Sequence, residues 1–153
     1  MTPPRIAVHN RQRAFRVPLL ALQEFAGRAL TECLRIPGKR RGLESMTELN
    51  VILVSNRRMA ELHRRFLHLP GSADVITFQH GEIVVSVETA RSHARRFGNS
   101  VKGELCLYIA HGLLHLHGFD DKNFANAAEM DRAQKKLVTA ATRQSQGRVV
   151  IGR

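Results

Sequence analysis

The sequence contains no tryptophan, a single tyrosine and only two cysteines among its 153 residues. Both cysteines, Cys33 and Cys106, sit among apolar residues, so we expect buried, reduced thiols, with a bridge between these two as the alternative. No stretch free of Lys, Arg, Asp and Glu supplies the roughly 20 apolar residues that a bilayer-spanning helix needs. The absence of tryptophan also counts against an amphipathic helix anchored on a membrane surface. These shortages disfavour a secreted disulfide scaffold and a membrane partner.

Acidic residues are also scarce, because 13 Asp plus Glu oppose 24 Lys plus Arg and leave a net charge of +11. This excess favours a polyanionic partner, nucleic acid first, since each phosphate that is neutralised releases condensed counterions. A charged, solvated surface without a partner is the alternative. The 43% of apolar residues suffice for a core, which excludes wholesale disorder. The first five residues do not resemble a secretory signal, so we expect a cytoplasmic protein.

The length predicts one domain, which we place at residues 1–142, followed by a basic C-terminal tail at 143–153. Apolar periodicity and turn residues predict four strands, near 6–8 and over 49–54, 74–78 and 82–87. The same signals predict five helices, over 18–35, after Ser55, over 88–97, from Ser100 onward and over about 124–141. The sequence therefore alternates strands and helices within one domain.

The predicted helix after Ser55 combines an apolar face with a basic one. Met59, Leu62 and Phe66 recur at i, i+3 and i+7, so we expect all three to face the core. Arginines seven residues apart stack along one helix face, which makes a basic stripe of Arg57, Arg58, Arg64 and Arg65. We interpret the stripe as a track for RNA phosphates, with a solvated face as the alternative.

The most informative segment is 111–121, which reads His-Gly-Leu-Leu-His-Leu-His-Gly-Phe-Asp-Asp. Histidines four apart project from one helix face, so His111 and His115 suit a single metal ion. Gly118 is able to end the helix in the left-handed conformation and bring Asp121 back to the same ion. Three protein ligands and an open fourth position are typical of catalytic zinc. The alternative is a pair of core histidines bonded to other protein groups. His117 lies on the opposite side of the helix and is a poor ligand candidate.

The spacing also matches the metzincin pattern His-Glu-x-x-His-x-x-Gly-x-x-His in all but two positions. One of these positions decides the interpretation, because zincin peptidases use the glutamate beside the first histidine as general base. Here that position is Gly112, which holds no proton. A peptidase would therefore need a base from outside the helix.

Segment 111–120 resembles the signature of the YbeY family of bacterial rRNA maturation endoribonucleases. Segment 74–78 is similar to the family's Thr-Asp-Val-Leu-Ser-Phe strand, and segment 81–86 is similar to its Gly-Asp-Ile-x-Ile-Ser strand. Glu129-Met130 is similar to the family's C-terminal helix. The resemblance runs from about residue 50 to residue 138.

The resemblance implies an α+β fold with a small mixed sheet of about four strands, about five helices and a buried metal-binding helix. It also implies metal-dependent, single-strand-specific cleavage of RNA in maturation of the small-subunit 16S rRNA 3′ end and in ribosome quality control. The implied cofactor is one divalent ion, zinc or another transition metal. The implied partners are rRNA, the small ribosomal subunit with its proteins, and an Era-type GTPase.

Two residues depart from the family pattern. Asp121 stands in the position of a third histidine, and Phe66-Leu67 stands where the family has an aromatic residue followed by arginine. A carboxylate ligand leaves the ion a weaker Lewis acid than a third imidazole would. We take His111 and His115 as catalytic through the metal, with Asp120 or metal-bound hydroxide as general base. The alternatives are a ribosome-binding assembly factor with weak or no catalysis, and a metallohydrolase acting on peptides or other small substrates.

Overall fold

The computed structural model describes residues 3–67 and 74–151, with side chains described through residue 66 and from 74 to 142. Four strands are present: β1 (Arg5–Asn10), β2 (Glu48–Val54), β3 (Val75–Phe78) and β4 (Glu82–Ser86). Five α-helices accompany them: α1 (Leu19–Leu34), α2 (Asn56–Leu67), α3 (Val87–Phe97), α4 (Val101–Leu116) and α5 (Phe124–Ile151). This confirms the expected α+β class, with a short 3-10 turn before β2 as the one addition within the described ranges.

The strands form one mixed sheet in the order β1-β2-β4-β3. β2 pairs in parallel with both β1 and β4, whereas β3 pairs antiparallel with β4. The antiparallel pair is a hairpin whose turn uses Gly81 with φ 115°, a conformation that glycine adopts without strain. Parallel pairing is consistent with the β-branched and leucine side chains of β2, since such strands are covered on both faces.

Alternation along the strands divides the core into two parts. The larger part lies on one face of the sheet, where Val51, Leu53, Ile83 and Val85 pack with α1, α4 and α5. The smaller part lies on the other face, where α2 is the helix that covers the sheet in the described part of the chain. The metal-motif helix α4 therefore lies inside the larger part, and ten of its residues are buried.

Local signals explain where α3 and α4 begin and end. The hydroxyls of Ser86 and Ser100 accept hydrogen bonds from the backbone N–H groups of Thr89 and Gly103, and so cap the two N-termini. Gly98 ends α3 in the left-handed conformation, with φ 67°. Val87, which the sequence places in a strand, is instead the first residue of α3, because the Ser86 cap starts the helix there.

Three expectations about side chains and chain ends have clear outcomes. Both cysteines are buried free thiols, as expected. Phe66 is 50% exposed, so its predicted place in the core is wrong. Helix α5 continues to Ile151 instead of ending near residue 141, because no proline interrupts residues 142–151. The sequence also predicts a chain break at Pro70-Gly71-Ser72, and these residues lie outside the described ranges. Within the described ranges, no helix combines the length and apolar character of a membrane span.

Candidate metal centre

The two histidines of the motif face each other on helix α4. His111 and His115 are both half-buried, and their Nε2 atoms lie 3.0 Å apart. Tetrahedral zinc with Zn–N bonds of about 2.0–2.1 Å holds two nitrogen ligands about 3.3 Å apart. The separation in the protein is therefore close to what one shared ion requires.

Hydrogen bonds at the Nδ1 atoms of the two histidines determine the tautomer and the orientation of each ring. Nδ1 of His115 lies 3.1 Å from the carbonyl oxygen of Phe119, and Nδ1 of His111 lies 2.8 Å from Oε1 of Gln134. Both partners are acceptors, so each Nδ1 carries the proton and each Nε2 of a neutral ring presents a lone pair. Two lone pairs directed at one another repel, and a cation held between them removes that repulsion. The histidine pair thus fits a metal ion on the chemistry of its own donors.

The electrostatic surroundings of His115 favour its neutral form. Burial lowers the pKa of His115 below its usual value, and the neighbouring His111 lowers it further. Asp121, the Phe119 carbonyl and Asp120 act in the opposite direction and do not cancel the shift. Because metal ligation requires an unprotonated imidazole, this lowered pKa prepares His115 to bind an ion near neutral pH.

The turn after α4 returns Asp121 to the histidine pair. Gly118 has φ 100°, a left-handed conformation that favours glycine. A Cβ on Gly118 would also lie 2.8 Å from the backbone nitrogen of Arg40, so the position excludes larger residues. Ligand atoms of His111, His115 and Asp121 all lie within 4.8 Å of one another, and Asp121 is exposed. The three residues that the sequence nominates as metal ligands are therefore adjacent.

Two hydrogen bonds hold the carboxylate of Asp120 in place. Its Oδ1 accepts hydrogen bonds from the backbone N–H of Lys122 and from Nδ2 of Asn126, each at 3.0 Å. These two bonds lower the pKa of Asp120, the Lys122 bond most. A carboxylate with a lowered pKa is a weaker proton acceptor, which reduces its value as a general base.

The basic loop at residues 39–42, which precedes the 3-10 turn at Leu43–Ser45, packs against the end of α4. The backbone N–H of Lys39 donates to the carbonyl of His117 at 3.0 Å, and the Arg40 guanidinium donates to the carbonyl of His115 at 3.2 Å. His117 itself is buried and its Nε2 donates to the carbonyl of Ile36. It therefore points away from the other two histidines, in agreement with the sequence-based geometry.

Close packing explains the glycine beside the first histidine. A Cβ on Gly112 would lie 2.5 Å from Cγ2 of the fully buried Ile83, so α4 rests directly on strand β4 at this point. A glutamate in this position would collide with the sheet. The motif therefore has no room for the general base of a zincin peptidase.

A cavity of about 360 Å³ opens beside His111. Its wall includes the buried carboxylate of Glu104, the buried ring of Tyr108, the carboxylate of Asp74 and the amide of Gln134. Burial raises the pKa of Tyr108 above its usual range, and the carboxylates of Asp74 and Glu104 raise it further. The hydroxyl of Tyr108 hydrogen-bonds Nδ1 of His93 at 2.8 Å, so this ring is held in place next to the histidine pair.

Comparisons with known proteins identify the family of this chain. The family model described as "Endoribonuclease YbeY" matches residues 7–142. The chain belongs to the YbeY family. An endoribonuclease YbeY of Renibacterium salmoninarum is 34% identical over 64% of this chain and 73% of its own length. One from Anaeromyxobacter sp. is 35% identical over 61% of this chain and 54% of its own length.

A solved structure also resembles this YbeY-family chain. The solution structure of TM1509 from Thermotoga maritima has a TM-score of 0.62 and 29% sequence identity, and the match covers 94% of this chain and 93% of that one. The similarity extends over the sheet and the surrounding helices. It supports the domain architecture described above.

The four arginines of the basic stripe in this YbeY-family domain differ in whether they line the groove under α2. All four of its arginines are exposed, but Arg58 and Arg65 line a groove under α2 whereas Arg57 and Arg64 do not. The groove lies on the sheet face opposite α4. The stripe and the metal ligands are therefore separated by the sheet, which the sequence alone did not indicate.

Sequence reasoning missed Gln134, the residue that orients His111. A signal was present, because Gln134 interrupts the inward stripe of α5 between the buried side chains of Met130 and Leu137. A polar residue on such a stripe is typically hydrogen-bonded to another buried group. The position of its partner depends on how α5 crosses α4, which periodicity does not provide.

Proposed function

We propose that this YbeY-family protein is a metal-dependent, single-strand-specific endoribonuclease. The observation that carries the proposal is the facing pair of Nε2 atoms in His111 and His115, with the Asp121 carboxylate beside them. Bound there, a divalent ion supplies Lewis-acid chemistry at a phosphodiester, by polarising the phosphoryl oxygen or activating a nucleophile. His111 and His115 are catalytic in this scheme as the residues that hold the ion.

The surrounding residues of the chain have supporting tasks. Gln134 and the Phe119 carbonyl hold the two imidazoles in the ligating tautomer. The cavity beside His111 has room for a nucleotide unit next to the ion. The buried carboxylate of Glu104 in its wall accepts hydrogen bonds from the ribose or the base. Asp120 holds the turn that presents Asp121, and its lowered pKa makes it a weak candidate for the general base.

We propose zinc as the ion, because two imidazoles and one carboxylate with an open position are a common catalytic zinc set. The carboxylate of Asp121 also permits a harder ion such as Mn²⁺. Metal analysis of protein purified without chelators tests this assignment. A stoichiometry near one zinc per chain is expected, and a different dominant metal would replace zinc in the proposal.

Family membership and the positive charge of the chain support the biological substrate proposed here. We propose cleavage at the 3′ end of small-subunit 16S rRNA and participation in ribosome quality control, in the cytoplasm. The small ribosomal subunit with its proteins, and an Era-type GTPase, are the proposed partners. Co-sedimentation with ribosomal subunits is the direct measurement, and absence of the protein from the small-subunit fraction would contradict this part.

The decisive experiment compares cleavage of a labelled single-stranded RNA by the wild-type protein and by His111→Ala. Loss of cleavage in His111→Ala is expected, and His9→Ala serves as a control because His9 bonds Asn50 on the sheet, away from α4. Full cleavage by a correctly folded His111→Ala protein would refute the proposal. Asp121→Asn provides a second test at an exposed position where folding is not at risk.

One alternative has support in this chain. Because Asp121 replaces a third histidine of the family pattern, the protein could act as a ribosome-binding assembly factor with weak or no catalysis. Ribosome association that survives His111→Ala, together with low metal occupancy in the wild type, would favour this alternative. The metallohydrolase alternative needs a general base from outside the helix, since a Cβ on Gly112 would lie 2.5 Å from Ile83. The carboxylates of Asp74 and Glu104 lie in the cavity beside His111, so this alternative stays a prediction.

A further inference from the structure

The sheet face opposite the metal centre carries a second, larger groove. Its volume is about 610 Å³, and helix α2 forms one of its walls. The floor consists of apolar side chains from three strands and from α2, namely Ile52, Val84, Phe78, Leu62 and Phe66. Ile52 is only half-buried although β2 lies in the middle of the sheet. Within the part of the chain that the structure describes, helix α2 thus covers only part of this sheet face.

Two aromatic rings define one end of the groove. Phe66 and Phe78 meet edge to face, with ring centroids 5.3 Å apart, and Phe66 is half-exposed. The imidazole of His80 stacks on Phe78 with centroids 5.8 Å apart. The half-exposed Phe66 ring offers a π surface to a planar ligand beside the partly buried Phe78, and every nucleobase has such a surface.

Cations surround these rings. Arg58 and Arg65 approach from α2 and Arg11 from the end of β1, and the Arg65 guanidinium lies 5.4 Å from the Phe66 ring centroid. Two carboxylates balance part of this charge, since Glu61 pairs with Arg58 and Glu82 pairs with His80. The rim therefore retains a surplus of positive charge above an apolar, aromatic floor.

We infer that this groove binds a segment of single-stranded RNA, with a base against Phe66 and Phe78 and phosphates against Arg58, Arg65 and Arg11. Aromatic platforms with a basic rim are how many proteins bind single strands without reading sequence. The inference deepens the proposed function, because it rests on RNA being the partner. It adds a binding subsite that is separate from the metal centre.

The position of the groove indicates how one strand reaches both sites. Phe78 belongs to β3, which is an edge strand of the sheet within the described residues, and the other face of β3 contacts the metal helix α4. An RNA held in the groove passes over this edge to reach His111. The groove therefore contributes to binding only for RNA that is long enough to span the β3 edge. It raises the affinity for such RNA and takes no part in the cleavage step.

The test measures binding of a fluorescein-labelled single-stranded RNA of about 12 nucleotides by fluorescence anisotropy, with EDTA present to prevent cleavage. Phe66→Leu removes the ring but keeps an apolar side chain, and we expect binding to weaken at least about fivefold. The double variant R58Q/R65Q is expected to weaken binding and to reduce the salt dependence of log K by about 0.7 per arginine.

The matched control is the double variant R57Q/R64Q, which removes the same charge from the same helix outside the groove. A clearly smaller loss in this control supports the groove, whereas equal losses in both double variants and no effect of Phe66→Leu would overturn it. If the groove variants weaken the binding of poly-L-glutamate but leave RNA binding unchanged, the inference is overturned in favour of an acidic protein partner. Circular dichroism verifies that each variant is folded.

A second measurement separates this inference from the proposed function. With long RNA and added metal, the groove variants are expected to raise KM and leave kcat unchanged, and short RNA is expected to show no difference. Lost cleavage in His111→Ala with unchanged binding by groove variants would retain the nuclease and remove the groove. If RNA binding depends on the groove but the wild-type protein does not cleave RNA, the groove is retained as an RNA-binding site and the nuclease proposal is removed.

Discussion

Gln134 on α5 lies 2.8 Å from Nδ1 of His111 on α4, through its side-chain oxygen. This hydrogen bond joins the long C-terminal helix to the candidate metal ligand. It holds the proton on Nδ1, which leaves Nε2 free to bind an ion. Partners of this kind typically change metal affinity about 10–100-fold when they are removed.

Replacing Gln134 by leucine is therefore expected to weaken metal binding about 10–100-fold, because the imidazole loses its acceptor. Gln134→Glu retains an oxygen acceptor and is expected to keep the affinity. Competition with a chromogenic chelator measures both variants. Equal metal affinity of the leucine variant and the wild type would show that the hydrogen bond does not orient His111.

The contact between Gly112 and Ile83 predicts a stability effect. Gly112→Ala introduces a methyl group 2.5 Å from Cγ2 of Ile83, and such overpacking costs about 1–3 kcal/mol. Alanine gains only about 1 kcal/mol over glycine in a helix, so we expect a net loss of stability in urea unfolding.

Two controls isolate that contact. A Cβ on Gly27 in α1 would meet nothing within 4 Å, so Gly27→Ala is expected to stabilise the protein. In an Ile83→Ala background the cost of Gly112→Ala is expected to shrink, because the opposing methyl group is gone. An unchanged cost in that background would mean that the strain lies elsewhere.

Asp121 offers a way to tune the metal centre. Asp121→His replaces a charged ligand by a neutral imidazole, which makes a bound ion a stronger Lewis acid. We expect tighter metal retention during dialysis and faster RNA cleavage in the same variant. Improved retention with reduced cleavage would indicate that the carboxylate has a role in the reaction beyond holding the ion.

The two thiols should be inert in the folded protein. Burial raises the pKa of Cys33 to about 12 and that of Cys106 to about 11, so almost no thiolate is present at pH 8. Titration with a thiol reagent at pH 8 is expected to detect neither cysteine in the native state and both after denaturation. Rapid reaction of a native thiol would contradict the described packing of α1 and α4.

Much of the fold could be predicted because the local signals agree with the packing. Pro18 precedes α1, Gly98 ends α3 and Ser100 caps α4, all at positions that the sequence indicates. The histidine spacing and Gly118 likewise predicted the geometry of the three candidate ligands. These features depend on residues that are close in sequence, where periodicity and turn chemistry determine the result.

The misses concern contacts between distant segments. Phe66 has the right helical spacing for the core, but α2 covers only part of its sheet face and leaves the ring half-exposed. Separation of Arg58 and Arg65 from the metal ligands follows from the strand order, which a single sequence does not reveal. Gln134 was missed for the same reason, since its partner is on another helix.

The three candidate ligands come from one short stretch, the end of α4 and the turn that follows it. An ion bound there closes only a small loop of chain. It therefore reduces the conformational entropy of the unfolded chain far less than a cross-link between remote segments would. Loading the ion should therefore raise the melting temperature by mass action alone. Bringing the three ligands together does not require the sheet to pair, whereas the hydrogen bond to Gln134 that orients His111 requires α5 to pack on α4.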